Sequence, residues 1–146
     1  MARVKLKFPD ENPLFITTIP VRVGDLNYGN HVGNDAVLSI IHEARMQFLY
    51  SSGFTEMNAG GVGLIMADVM IAYKGESFYG DVLNVEIFAD EITEFSFDLL
   101  YRIRTQRNNK AAEIAHAKTG MVCFEYASRK VVAMPTPLQT FLKGVK

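Results

Sequence analysis

Apolar and polar residues alternate from Leu14 to Val23, with Phe15, Thr17, Ile19, Val21 and Val23 set against Thr18, Pro20 and Arg22. A period of two predicts a half-buried strand, and Pro20, which has no amide to donate, assigns it to a sheet edge or a bulge. The pattern then breaks into a loop rich in glycine and asparagine, Gly24 to Asn34. Asp35 to Ser52 lacks Gly and Pro, is preceded by a capping Asn34 or Asp35, and ends at Gly53, which predicts a helix. Val37, Leu38, Ile40, Ile41, Ala44, Met46, Phe48 and Leu49 cover more than one stripe of that helix, so other elements must wrap it. Beyond Gly60-Gly61-Val62-Gly63 the rest reads as strand. Leu64 to Tyr73 is apolar on both faces, which predicts a place in the centre of its sheet. Asp81 to Ala89 is the next strand. Phe95 to Thr105 is the cleanest alternation in the chain, and a turn at Arg107-Asn108-Asn109 joins it to Ala111–Tyr126. Ala127-Ser128-Arg129-Lys130 turns into a last short strand ending near Met134, and Leu138 to Leu142 can form a terminal helical turn.

This order of one strand, one long apolar helix and about four further antiparallel strands predicts an α+β domain spanning residues 1–146. A curved antiparallel sheet wrapped around the helix hides its apolar surface. One such sheet leaves edge strands open, so a homodimer or homotetramer is expected, with ligand sites between subunits. The chain has 146 residues, close to half of them apolar, and a net charge of −1, which supplies no general attraction to nucleic acid or an anionic membrane. No run of ~18 apolar residues suggests a membrane span. The single cysteine, Cys123, excludes an internal disulfide and points to a reducing, cytoplasmic setting.

The loop carries the candidate chemistry. Asp25, Asn27, Asn30, His31 and Asn34 lie between a strand and a helix N-terminus, whose first amides lack internal partners and carry the positive end of the helix dipole. Such amides can hold a carbonyl oxygen and stabilise an oxyanion, while a nearby carboxylate activates water or attacks directly. Asp25 and Asn34 can equally serve as turn caps, and His31 as a packed loop residue.

Asp25-Leu26-Asn27, Asn30-His31-Val32-Gly33-Asn34 and Glu43-Ala44-Arg45 together resemble the thioesterases related to 4-hydroxybenzoyl-CoA thioesterase. The likeness continues through Asp68, Tyr73, Tyr79-Gly80-Asp81, Gly120–Glu125, Arg129-Lys130 and Met134-Pro135, covering residues 15 to 142. It implies the hot-dog fold and hydrolysis of a fatty or aromatic acyl thioester of CoA or acyl carrier protein, with no cofactor and no metal. By position, Asp25 becomes the general base or nucleophile, and the amides of His31, Val32 or Gly33 the oxyanion donors. Departures are Gly33 where relatives carry Asn, Asn27 where many carry an acid, and Lys74-Gly75-Glu76 in place of an Arg-Pro strand end.

Rival acids are Glu43 on the helix and Asp68. Glu43 is otherwise expected in an ion pair with Arg45 or Arg22, or with a partner subunit. Asp68, in an apolar strand where a lone carboxylate is costly, is expected to face the active-site groove or pair across an interface. His42, His116 and Cys123 lack the spacing of a zinc site. Cys123 reads as a core residue. Among the basic residues near strand ends, Arg129 and Lys130 are the candidates for nucleotide phosphates. An (R)-specific enoyl-CoA hydratase is the nearest alternative enzyme, since its Gly-Asp-x-Asn-Pro-x-His motif resembles Gly24–His31, without the Pro and with His31 one residue farther from Asp25. A non-catalytic acyl-CoA binder is the alternative of another class.

Overall fold

The computed structural model describes residues 1–144. One sheet contains β1 (Phe15–Pro20), β2 (Gly63–Tyr73), β3 (Val82–Asp90), β4 (Ser96–Arg107), β5 (Lys110–Glu125) and the two-residue β6 (Lys130–Val131). The order across it is β1-β3-β4-β5-β2, every pairing is antiparallel, and β6 extends β5. Helix α1 (Asn34–Tyr50) leads from β1 to β2, and α2 (Thr136–Leu142) closes the chain. This is the wrapped hot-dog arrangement that the element order predicts. The hairpin between β4 and β5 turns on Asn108 and Asn109, both with φ above +50°, which lets two residues match the twist of long strands.

Alternate residues of β3, β4 and β5 form the floor on which α1 rests. Val85, Ile87, Leu99, Tyr101, Ile103, Ala115, Ala117, Thr119 and Met121 are all buried, and Val37, Ile40, Ile41, Ala44, Phe48 and Leu49 meet them from the helix. At the far end of α1, Phe141 of α2 stacks on Phe48 with ring centroids 4.6 Å apart. The outer face of the sheet is partly covered by the N-terminal segment, whose Phe8 lies 5.3 Å from Phe88 and 5.0 Å from the His116 ring.

A polar seam crosses this apolar floor. The buried Arg45 reaches Tyr101 Oη at 3.4 Å, and Tyr101 Oη pairs with Thr119 Oγ1 at 2.8 Å. On its other side Arg45 Nε meets Glu56 Oε1 at 3.4 Å, and the same oxygen accepts from His42 Nε2 at 2.9 Å. Burial pushes the Tyr101 phenol up, so it stays a neutral donor and acceptor within the seam.

Two expectations are corrected. Leu64–Tyr73 was expected in the middle of the sheet, yet β2 is its last strand, and Met66, Val69 and Tyr73 are 40%, 40% and 45% exposed. Apolarity on both faces therefore marks an uncovered edge here, not a centre. Likewise α1 is not hidden on most sides: Asp35, Leu38, Ser39, His42, Glu43, Met46 and Tyr50 form an exposed stripe. Among the described residues no helix is long and apolar enough to cross a membrane.

Arg45→Ala is expected to cost about 3 kcal/mol, because it strands Glu56 and the Tyr101 hydroxyl. Urea unfolding measures this, and Arg45→Met, which keeps the volume, is expected to recover part of the loss.

Candidate active site

Asp25 ends a single 3-10 turn, Val23–Asp25, that follows β1. Its Oδ2 accepts from the Arg22 amide at 2.8 Å, and the Arg22 guanidinium stands 3.5 Å from Oδ1. The carboxylate is buried (6% exposed), so the capping role considered from the sequence is real. The chain then forms a small hairpin. Leu26 bridges Val32, the Asn27 amide donates to His31 O at 2.9 Å, and Asn30 takes φ 65° at the tip. Gly33, extended at φ −70°, is the N-cap of α1, one residue before the expected Asn34 or Asp35. Its carbonyl accepts from Ala36 at 3.0 Å and Val37 at 3.3 Å. A Cβ at Gly33 would come within 2.6 Å of Asp35 Oδ1, the end of an exposed side chain that would have to turn aside.

This hairpin engages two of the three expected oxyanion donors. Val32 N donates to Ser77 O at 2.8 Å, and Gly33 N donates to Asp25 O at 3.0 Å. Those amides are committed to holding the loop, against the expectation that either faces a ligand. Among the described residues the His31 amide donates to no protein acceptor.

A recess lies on each side of the loop. One, of about 490 Å³, is lined by Arg22, Gly24, Asp25, Asp35, Ala36 and Ser39, so Asp25 shares it with the first turn of α1. The other, of about 380 Å³, is a groove lined by His31, Asn34, Val37, Tyr73, Ser77 and Ile114, among others. Tyr73 Oη donates to Asn34 O at 2.9 Å, tying the end of β2 to the start of α1. Burial raises the Tyr73 phenol, with the Asp35 charge acting the same way, so it keeps the proton it donates. His31 Nδ1 lies 3.1 Å from Val32 O, and His31 is among the residues lining this second groove.

The rival acids lie elsewhere. Glu43 accepts from Gln47 Nε2 at 2.7 Å and lines a separate shallow recess with Met46 and Tyr50. Its expected ion pair with Arg45 or Arg22 is not made, because Arg45 turns inward to Glu56 and Arg22 turns to Asp25. Asp68 follows a bulge at Ala67, where the register passes from Met66↔Met121 to Asp68↔Gly120. The bulge turns the carboxylate to solvent, where it is 62% exposed and accepts from Lys118 Nζ at 2.8 Å and Gly120 N at 3.1 Å. The Lys118 ammonium holds it below its usual range. Asp68 lines neither recess. Arg129, at φ 55° on the turn between β5 and β6, and Lys130, the first residue of β6, are both exposed. From Ile114, at the groove, to that turn runs most of β5, roughly 36 Å, so one protomer does not bring them together.

Sequence reasoning named Asp35 only as a helix cap and passed over Ser39 and Ser77. Ser77 is buried, and its hydroxyl donates to Asp81 Oδ2 at 3.0 Å, which fixes the carbonyl that holds Val32. The turn residues Ser77 and Gly80-Asp81 were the available signal.

Cys123 is fully buried in β5, and burial pushes its thiol up to about 11 from 9.0. It is expected to resist alkylation at pH 8 in the folded protein and to react on unfolding, as mass spectrometry would record. The raised value stabilises the fold fully below pH 9 and progressively less as pH rises toward 11.

The comparisons with known proteins agree with this architecture. The family described as the thioesterase-like superfamily matches residues 21–142. The crystal structure of a 1,4-dihydroxy-2-naphthoyl-CoA thioesterase from Synechocystis superposes with a TM-score of 0.79 at 25% identity, covering 88% of this chain and 95% of that one. A curated Aquifex aeolicus protein that carries an esterase name is 29% identical over 103 residues, 69% of this chain and 76% of its own length. A gentisyl-coenzyme A thioesterase, at 18% identity and a TM-score of 0.75 over 88% of this chain and 99% of that one, shares the fold.

Proposed function

The chain belongs to the thioesterase-like superfamily and is a thioester hydrolase, and from that premise we propose that it cleaves fatty or aromatic acyl-CoA at the Asp25 loop. One observation carries this reading: the buried acid Asp25 lines the same recess as the first turn of α1. With the thioester carbonyl in that recess, Asp25 takes the proton of an attacking water as the C–O bond forms. The positive end of α1, whose first turn lines the same recess, stabilises the resulting oxyanion. Collapse breaks the C–S bond, and the thiolate leaves with a proton, giving free acid and CoA thiol. Direct attack by Asp25, through an anhydride that water then hydrolyses, gives the same products. Glu43 is the alternative acid within this reading. The hydratase reading is disfavoured because Asp25 and His31 line different recesses, whereas hydration needs both groups on one water.

The enzyme in this reading is a homodimer paired through β2. That strand has β5 as its sheet partner and leaves its other edge free beyond Leu64, whose amide donates to Glu56 O, with Met66 and Val69 exposed along it. Antiparallel pairing of two β2 edges would satisfy the open amides and carbonyls and cover both side chains. It would also bring Arg129 and Lys130 of one copy, beside the start of β2, toward the end of the partner's β2, where CoA phosphates could be met.

Purified protein is expected to release free thiol from acyl-CoA, followed with a thiol reagent across a panel of acyl lengths and acyl carrier protein. Asp25→Asn keeps an oxygen for the Arg22 amide and is expected to lower kcat by roughly a hundredfold or more with the fold intact. Full activity in that variant together with its loss in Glu43→Gln would move the acid to α1. Val69→Lys, a charge on the pairing edge, is expected to yield monomers in sedimentation.

A further inference from the structure

The loop that carries Asp25 is suspended at both ends from one short turn. Ahead of Asp25, Val21 N donates to Asp81 O at 2.9 Å, and behind it Val32 N donates to Ser77 O at 2.8 Å. Val21 and Val32 are both buried, so water does not compete for these bonds. The turn that supplies the two carbonyls, Ser77 to Asp81, therefore sets where the loop stands. Any shift of the turn passes to the loop through two hydrogen bonds.

A single oxygen ties that turn together. Asp81 Oδ2 accepts from Ser77 Oγ at 3.0 Å, from the Phe78 amide at 2.9 Å and from Arg107 Nη2 at 2.5 Å. The same Nη2 donates to Glu76 O at 2.7 Å, and the guanidinium carbon lies 5.2 Å from the centre of the Phe78 ring. Arg107, the last residue of β4, thus grips the segment at Glu76, Phe78 and Asp81. Burial works against the Asp81 charge, but the hydrogen bonds from Arg107, Phe78 and Ser77 outweigh it and hold the carboxyl below its usual range. The Asp81 side chain is only 16% exposed, so loss of the guanidinium leaves a largely buried charge without a partner. Swinging that carboxylate out to water would release Ser77 and Phe78 together.

We propose that Arg107 is a positioning residue for thioester hydrolysis: it locks the Ser77–Asp81 turn, and the locked turn holds the Asp25 loop beside the first turn of α1. The inference rests on the reading of Asp25 as the acid. Arg107 lines neither recess beside the loop, so it acts through the turn. A displacement of about 1 Å at a reacting group costs on the order of a hundredfold in rate, so a small relaxation of the turn is enough to be read in turnover.

Arg107→Ala is expected to lower kcat for an acyl-CoA roughly tenfold or more while KM changes less than about threefold. In the same variant, hydrogen exchange read by mass spectrometry is expected to speed up over residues 21–33, with peptides from α1 and the middle of β4 unchanged. Two rescues separate this role from a general loss of stability. Arg107→Lys keeps a cation for Asp81 and is expected to recover most of the lost turnover. Arg107→Ala combined with Asp81→Asn removes the unpaired charge, while the asparagine oxygen still accepts from Ser77 and the Phe78 amide. That double variant is expected to be more active than Arg107→Ala alone and to regain protection over residues 21–33.

Wild-type kcat in Arg107→Ala, faster exchange spread evenly over the sheet, or a double variant no better than Arg107→Ala overturns the proposal. Loss of turnover in Arg107→Ala beside full activity in Asp25→Asn would refute Asp25 as the acid and leave the positioning of the loop by Arg107 standing.

Discussion

The seating of α1 on β4 and β5 is the constraint on which everything else hangs. Apolar contacts between Ile40, Ala44 and Phe48 and the sheet supply the drive, but such contacts are non-directional and would tolerate a helix slid or rotated along the floor. The seam of Arg45, Tyr101 and Thr119 is directional. A buried guanidinium is costly unless its donors are met, so the helix is held at the position that meets them. Fixing that register fixes where α1 begins, and with it the placing of Gly33, the Asp25 turn and both recesses. The same arginine, through Glu56, orients the turn that leads into β2.

The loop itself shows how much of a candidate site is scaffolding. Its amides do not simply face outward from a helix end. Val32 and Gly33 spend theirs on Ser77 and Asp25, and Asp25 gives one oxygen to Arg22. Those bonds hold a carboxylate at a helix N-terminus, and in the proposed reaction they leave the end of α1 to meet an oxyanion in that recess. Serving as a structural cap is compatible with the acid role proposed for Asp25, because each carboxylate oxygen has more than one lone pair.

The two edges of the sheet are treated differently. At β1 the strand is short and ends on Pro20, which offers no amide to another chain. At β2 there are eleven residues, a bulge at Ala67 and apolar side chains on both faces. The bulge sends Asp68 to Lys118 and the solvent, which lets an acid sit in an apolar strand without burial.

Period and punctuation alone determined the elements, because they report local preference: Phe95–Thr105 alternates wherever it lies, Pro20 cannot serve a central strand, and Gly53 follows a helix end. They also placed Asp25 beside a helix N-terminus, since both belong to one stretch of chain. What only the tertiary structure decided were facts about neighbours distant in sequence. Whether an apolar strand is central or an uncovered edge depends on which strands flank it, and the residues of Leu64–Tyr73 read the same in either case. The partners of Glu43, Arg45 and Asp68 depended on side-chain direction around α1 and on one bulged residue. The commitment of the Val32 amide depended on Ser77, 45 residues away in the chain. A sequence states what each residue can bond, and only the packed chain brings within 3 Å the group that claims it.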